Sequence, residues 1–399
     1  MAPMTFQRDL LAEVERRILR PPPLLQILIG PRQVGKTTAA RALADRWKGS
    51  VQFAAADLPL PPGPEWIESQ WRVARTLSGD GPTLLILDEV QKVRGWSEVV
   101  KAMWDTDRAA RRSLRVLILG SSALLLAEGM AESLAGRFFL HRCGHWSFAE
   151  CKAAFGFDLQ HWLYFGGYPG AAELIDDAAA WRSYVNDSLI ETVLARDVMA
   201  LRRITKPTLL RHLFALSARY PAQALSYNKM LGQLHDAGNT TTLAHYLELL
   251  GSAFLVTGLE RFSRGSGRSR GSSPKLSLWN NALVSALNTQ SFEQAHSDGA
   301  WWGRLVENAV GAHLLQGLQS LPYELTWWRD GHDEVDFVVR AGRDLWAIEV
   351  KSGRPDRTAG LAAFCKAQRG AIPVIVGSDG IGLEEFFGQP PAELLRSLR

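Results

Sequence analysis

Gly30, Gly35, Lys36 and Thr37 stand in the run GPRQVGKT, and Asp88 and Glu89 close the run LLILDE. The first spacing, GxxxxGKT between an apolar strand and a helix, suits a chain that wraps phosphate. Its glycines let backbone N–H groups turn inward, the lysine reaches the β- and γ-phosphates, and the threonine hydroxyl holds magnesium. Gly30, Pro31, Arg32, Gln33, Val34, Gly35, Lys36, Thr37 and Thr38 are the expected nucleotide contacts, with the dipole of the following helix adding to the attraction. Asp88 is expected to bind the magnesium of Mg-ATP through water, and Glu89 to orient and deprotonate the attacking water. Ser121 and Ser122 follow RVLILG, where they could touch the γ-phosphate or cap a helix; the two roles are compatible. Arg137 in ESLAGRFF is the candidate for stabilising transition-state charge, within the chain or across a subunit interface. A surface or capping role is its alternative, and Arg196 in LARDV is the reserve.

A second set of reactive types lies near the C-terminus. In LWAIEVKSG, read as a strand, Trp346, Ile348 and Val350 take one face and Ala347, Glu349 and Lys351 the other. One face would pack, and the other would carry an acid and a base. Asp336 in EVDFVVR is expected on a neighbouring strand, and Glu307 on the helix GRLVENAVGAHLL. This set resembles the PD-(D/E)xK nuclease pattern, with Val335 where the proline would stand. In that chemistry Asp336 and Glu349 hold Mg²⁺ or Mn²⁺ against a scissile phosphate, Glu307 completes the site, and Lys351 activates water or stabilises developing charge. Fold does not imply function. A domain of this kind can keep its carboxylates while only binding DNA or docking subunits.

The stretch RFSRGSGRSRGSSPK carries Arg261, Arg264, Arg268, Arg270 and Lys275 without an acid, as expected of a basic wing that follows DNA phosphates. Just upstream, Asn239, Thr240, Thr241, Thr242 and His245 would line a recognition helix. Such short polar groups suit phosphate or base-edge contacts rather than strong sequence specificity. A packing module and a solvated connector are the alternatives. Trp301, Trp302, Trp327 and Trp328 are expected in cores and interfaces. His141, Cys143, His145 and Cys151 are metal-capable side chains within a short span, but their spacing fits no familiar zinc knuckle and reads equally as a strand.

The elements that must position these groups form four blocks. Residues 1–146 alternate the apolar strands LLQILIG, VQFAAAD, TLLILDEV and LRVLILGSS with amphipathic stretches, which predicts a parallel sheet covered by helices. Residues 147–206 open with the capping box SFAE, continue as a helical lid or linker and break at FGGYPG. Residues 207–280 read helix, helix and a two-stranded ribbon, the order of a winged helix-turn-helix. Residues 281–399 read helix, three strands, helix, strand. The fold class is therefore α/β.

The bulk numbers agree with several soluble domains. The chain has 399 residues, 46% of them hydrophobic and 22% charged, and a net charge of +4 that permits nucleic acid as a partner without demanding it. Its longest apolar run is too short to cross a bilayer, and MAPMTFQRDLLAEVERR lacks a secretory apolar core. A cytoplasmic location is expected. Three widely spaced cysteines suit reduced thiols.

Taken in order, GPRQVGKT, LLILDEVQKVRGW, LGSSALLL, ESLAGRF, FGGYP, LARDV, EVDFVV and IEVKSG resemble the prokaryotic AAA-type ATPases joined to a C-terminal domain of unknown function. The resemblance covers nearly the whole chain. It implies an AAA-like P-loop ATPase core that uses ATP and Mg²⁺, a winged-helix segment and a nuclease-like end. The arginine-rich wing loop and the HRCGHW stretch depart from that pattern. A homo-oligomer is expected, a ring being one form it could take. The reading that follows is an ATPase acting on DNA, with remodelling of branched DNA without cleavage, or a nucleotide switch that binds a protein partner, as alternatives.

Overall fold

The computed structural model describes residues 6, 8–77, 81–120, 133–198, 204–234, 238–263, 273–353 and 359–399. They form two compact units, Met1–Gly144 and His145–Arg399.

In the first unit, β1 (Leu25–Ile29), β3 (Leu84–Asp88) and β4 (Arg115–Gly120) are short apolar runs, buried almost throughout, as strands covered on both faces must be. With β2 (Val51–Ala55) and β5 (Phe138–Arg142) they make a five-stranded sheet in the order β2-β3-β4-β1-β5, parallel at every pairing. Four of these strands are those expected from the apolar runs, and β5 adds the fifth. The core joins Leu25, Ile27, Leu85, Leu87 and Ile118 to Ile67 and Trp71 of the helix Pro64–Thr76 and Val100 of the helix Trp96–Ala109. The buried carboxylate of Asp107 ties these two helices together, accepting from Trp71 Nε1 at 2.7 Å and Arg75 Nε at 2.8 Å.

The second unit begins with the capping box at Ser147, whose hydroxyl accepts from Glu150 N at 3.2 Å while Glu150 Oε2 accepts from Ser147 N at 2.8 Å. The helix Leu159–Phe165 stops at Gly166, whose φ of +70° favours glycine. The helices Pro207–Arg219, Tyr227–Gln233 and Thr240–Ser252 then lead into β6 (Val256–Leu259) and β7 (Lys275–Leu278), an antiparallel pair. Last comes a four-stranded sheet in the order β11-β10-β9-β8, built from β8 (Glu324–Asp330), β9 (Asp333–Ala341), β10 (Asp344–Lys351) and β11 (Ile372–Gly377). The helix Gly299–Leu318 precedes it, and the helix Ala359–Ala367 carries the chain from β10 to its parallel neighbour β11.

Both faces of β10 are packed, contrary to the expectation of one packed and one chemical face. Ala347, on the Glu349 side by alternation, lies in a core with Val338, Leu361 and Phe364. Of the four tryptophans expected in cores and interfaces, Trp301 and Trp302 are half-buried. Trp327 and Trp328 are buried, and Trp328 meets Phe364 edge-on at 5.2 Å. Among the described residues no helix is long and apolar enough to cross a membrane.

Candidate functional site

At the loop end of β1 the backbone of Gly30 runs against that of Cys143, whose N–H donates to Ile29 O at 2.7 Å. A Cβ on Gly30 would lie 1.9 Å from Cys143 O, so only glycine fits. Gln33 (φ +60°) and Gly35 (φ +88°) then take left-handed backbone, the alternation that turns successive N–H groups to one side as an anion nest. Gly35 precedes the helix Lys36–Arg46 without a side-chain cap, and a helix N-terminus of this kind favours an anion.

Lys36 is buried, and its Nζ donates to Gly30 O at 3.0 Å and Pro31 O at 2.5 Å, folded into the loop it would leave to meet phosphate. The hydroxyl of Thr37 donates to Asp88 Oδ2 at 2.7 Å. Asp88 ends β3, buried, with its Oδ1 accepting from Glu89 N at 2.9 Å. A hydroxyl and a carboxylate already converging on one point are the donor set magnesium takes, so these two residues fit that ion. Glu89 is left-handed (φ +55°), and its Oε2 accepts from Gln91 Nε2 at 2.9 Å. Around the loop, Pro31 and Val34 are buried, Arg32 half-buried, and Gln33 and Thr38 exposed.

Ser121 and Ser122 lie outside the described residues. Arg137 does not stand at this end of the sheet. It precedes β5, and its carbonyl accepts from Leu25 N at the far end of β1, a strand length of roughly 15 Å from the loop. Its guanidinium pairs with Asp105 at 2.9 and 3.2 Å, which raises its pKa. A role for Arg137 within the chain is therefore corrected. The arginine that β5 brings to the loop end is Arg142, aligned with Ile29, and burial lowers its pKa. Arg196 is exposed in the other unit. Arg8 is a further residue the motifs missed. Its guanidinium donates to Val34 O at 3.4 Å and Gly144 O at 3.0 Å, bracing the loop from a segment with no signature of its own.

The four metal-capable residues do not converge. His141 meets Gln26 at 2.8 Å, Cys143 Sγ accepts from Arg8 at 3.1 Å, and His145 meets Asn280 at 3.2 Å. Among the described residues no group of three or more His, Cys, Asp or Glu side chains could hold a metal.

In the second unit the structure brings Glu307, Asp336, Glu349 and Lys351 to one place. Asp336 Oδ2 accepts from Val350 N at 2.9 Å, and Lys351 Nζ donates to Glu349 Oε1 at 2.8 Å. Burial and the charge of Asp336 push both Glu307 and Glu349 above the ordinary carboxylate range. Lys275 joins them, and its assignment to a basic wing is corrected. It opens β7 with no exposed surface, and its Nζ lies 2.5 Å from Glu307 Oε1, 3.2 Å from Asp336 Oδ1 and 3.7 Å from Glu334 Oε1. Burial opposes its charge, but Glu307, Asp336 and Glu334 together raise its pKa. A divalent ion sits about 2.0–2.6 Å from its oxygens. An ammonium already stands between Glu307 and Asp336, so this arrangement does not fit a metal.

The other basic-loop residues divide. Arg264, Arg268 and Arg270 lie outside the described residues. Arg261 is exposed, and its segment runs along β8: Phe262 N donates to Trp327 O at 2.7 Å. Thr241 is exposed at the start of its helix, whereas Asn239 is engaged as the cap, accepting from Thr242 N at 2.8 Å.

Residues 23–152 match the family described as AAA domain, so the chain carries an ATPase-like nucleotide-binding domain of AAA type. It is fused to regions matching two domains of unknown function, DUF8612 over residues 156–294 and DUF4143 over residues 302–380. The chain is similar to uncharacterized proteins Rv2008c of Mycobacterium tuberculosis and Mb2031c of Mycobacterium bovis. Each is 29% identical over 352 residues, 86% of this chain and 74% of the relative. An uncharacterized protein of Haemophilus influenzae is 23% identical over 289 residues, 68% of this chain and 66% of its own.

Proposed function

We propose that the chain hydrolyses ATP at the Lys36–Thr37–Asp88–Glu89 site and uses turnover to act on DNA through its C-terminal unit without cutting it. The observation that carries the first half is the 2.7 Å bond between Thr37 Oγ1 and Asp88 Oδ2, which joins the phosphate loop to the strand bearing Glu89. Lys36 exchanges its two loop carbonyls for β- and γ-phosphate oxygens. Thr37 and Asp88 would hold magnesium, which supplies charge neutralisation on those phosphates. Glu89 orients a water toward the γ-phosphorus and takes its proton as the bond to ADP breaks.

The test is phosphate release alongside nucleotide binding. Lys36→Ala should lose binding and turnover together. Glu89→Gln should keep binding and lose about 10²-fold or more in turnover. Wild-type turnover in Glu89→Gln would remove Glu89 from the mechanism.

The DNA half is supported by the run of arginines at 261, 264, 268 and 270, and absence of cleavage by Lys275 among the carboxylates. Single-stranded, duplex or four-way DNA should raise ATP turnover, with a stimulation that falls as salt rises. Turnover indifferent to every nucleic acid would favour a nucleotide switch that binds a protein partner. A homo-oligomer, a ring included, would allow an arginine to be supplied in trans, the role still open to Arg137.

A further inference from the structure

We infer that Lys275 is the resident cation of the C-terminal carboxylate cluster and fills the place a divalent metal would otherwise hold. This inference is independent of the ATPase reading, since it concerns only the second unit. The backbone of Lys275 is fixed on both sides, paired with Leu259 in β6 and bridged to Ala224. From that anchored position the side chain reaches Glu307 on the helix Gly299–Leu318 and Glu334 and Asp336 on β9, and also donates to the carbonyl of Asp336 at 3.2 Å. An ammonium has three donors, and the oxygens of Glu307 and Asp336 are enough to take them.

Burying a charge this deeply is costly unless it is paired and hydrogen-bonded, and here it is both. Nitrogen and a divalent ion cannot share the position, because each needs the same oxygens of Glu307 and Asp336. Lys351 is bound to Glu349 Oε1, while Glu349 Oε2 is buried without a hydrogen-bond partner. With Lys275 removed, Glu307, Asp336 and Glu349 become an acid-rich pocket short of positive charge, which is what a hard cation with oxygen ligands requires.

The experiment is a Mn²⁺ titration of the nucleotide-free full chain, read by electron paramagnetic resonance and calorimetry. It uses the wild type, Glu349→Gln, Lys275→Met and the Lys275→Met/Glu349→Gln double variant. The wild type and Glu349→Gln should take up Mn²⁺ identically, because the cluster holds none. Lys275→Met should gain a single further ion, and the double variant should lose it. Uptake by the wild type that Glu349→Gln abolishes would overturn the inference, as would a folded Lys275→Met that gains nothing. Should Lys275→Met fail to fold, the wild type against Glu349→Gln decides alone: identical uptake upholds the inference, and a lost site overturns it.

Discussion

Glu89 is an L-residue held at φ +55°, between a buried strand end and a 3₁₀ turn. Such backbone costs on the order of 1 kcal/mol, and it persists only where the surroundings impose it. Glu89→Gly should therefore raise the unfolding free energy of the first unit, read from a denaturant melt, by about 0.5–1 kcal/mol while abolishing hydrolysis, because glycine adopts positive φ freely. A fall in stability would mean that the conformation stores no strain. Sequence reached this residue because its neighbours in the site are contiguous: GPRQVGKT and LLILDE each carry their own signature. Lys275 could not be reached that way. Its partners lie on a helix and a strand well downstream, and its own sequence context, a basic low-complexity run, reads as a solvated loop. Arg137 misled for a related reason. Whether it belongs to the loop end or the far end depends on β5 starting at Phe138, which no motif marks.

Between elements, Asn308 is a buried polar fastening of the second unit. Fully buried in the helix Gly299–Leu318, it binds both backbone groups of Leu278 at the end of β7, accepting at 2.9 Å and donating at 3.1 Å, and it donates to Asn281 Oδ1 at 2.8 Å. Asn308→Ala leaves two buried backbone groups unpaired and should cost about 2–4 kcal/mol, read from a chemical melt of the second unit. A loss under about 1 kcal/mol would mean the helix is held by its apolar contacts alone. The elements themselves were largely legible. Short apolar runs gave the parallel strands, Ser147 and Glu150 the capping box, and Gly166 a helix end. The covering of β10 on both faces was not, because Ala347 beside Glu349 and Lys351 looks polar in company, although its methyl is what the following helix packs on.

At the scale of the whole molecule, the burial of His141 and His313 contributes to the response to acid. His141 and His313 are each pushed down to about 4 by burial; for His141, Glu13 partly opposes the shift and Arg17 adds to it, while for His313 hydrogen bonds to the backbone of Gln389 and Phe386 partly oppose it. Gln26 Nε2 donates to Leu24 O, so its Oε1 accepts the Nε2–H of His141 and fixes the neutral tautomer. From pH 6.5 down to about 4 the unfolded chain binds protons that the native His141 and His313 refuse, so their contribution to stability falls as pH falls, while in the second unit the raised Glu307 and Glu349 act in the opposite sense. Each histidine should account for about 2 kcal/mol across that window, His141 in the first unit and His313 in the second. His141→Gln should flatten the profile of the first unit only; an unchanged slope would assign the acid sensitivity elsewhere. The position of Lys275 has another consequence at this scale. A fragment cut at residue 281, where the sequence suggests a boundary, would leave the carboxylates with their acid chemistry and take away their counter-ion. Such a truncated protein would take up divalent ions from its buffer through carboxylates that Lys275 otherwise occupies, so metal-binding assays on the excised domain would report a property created by the cut.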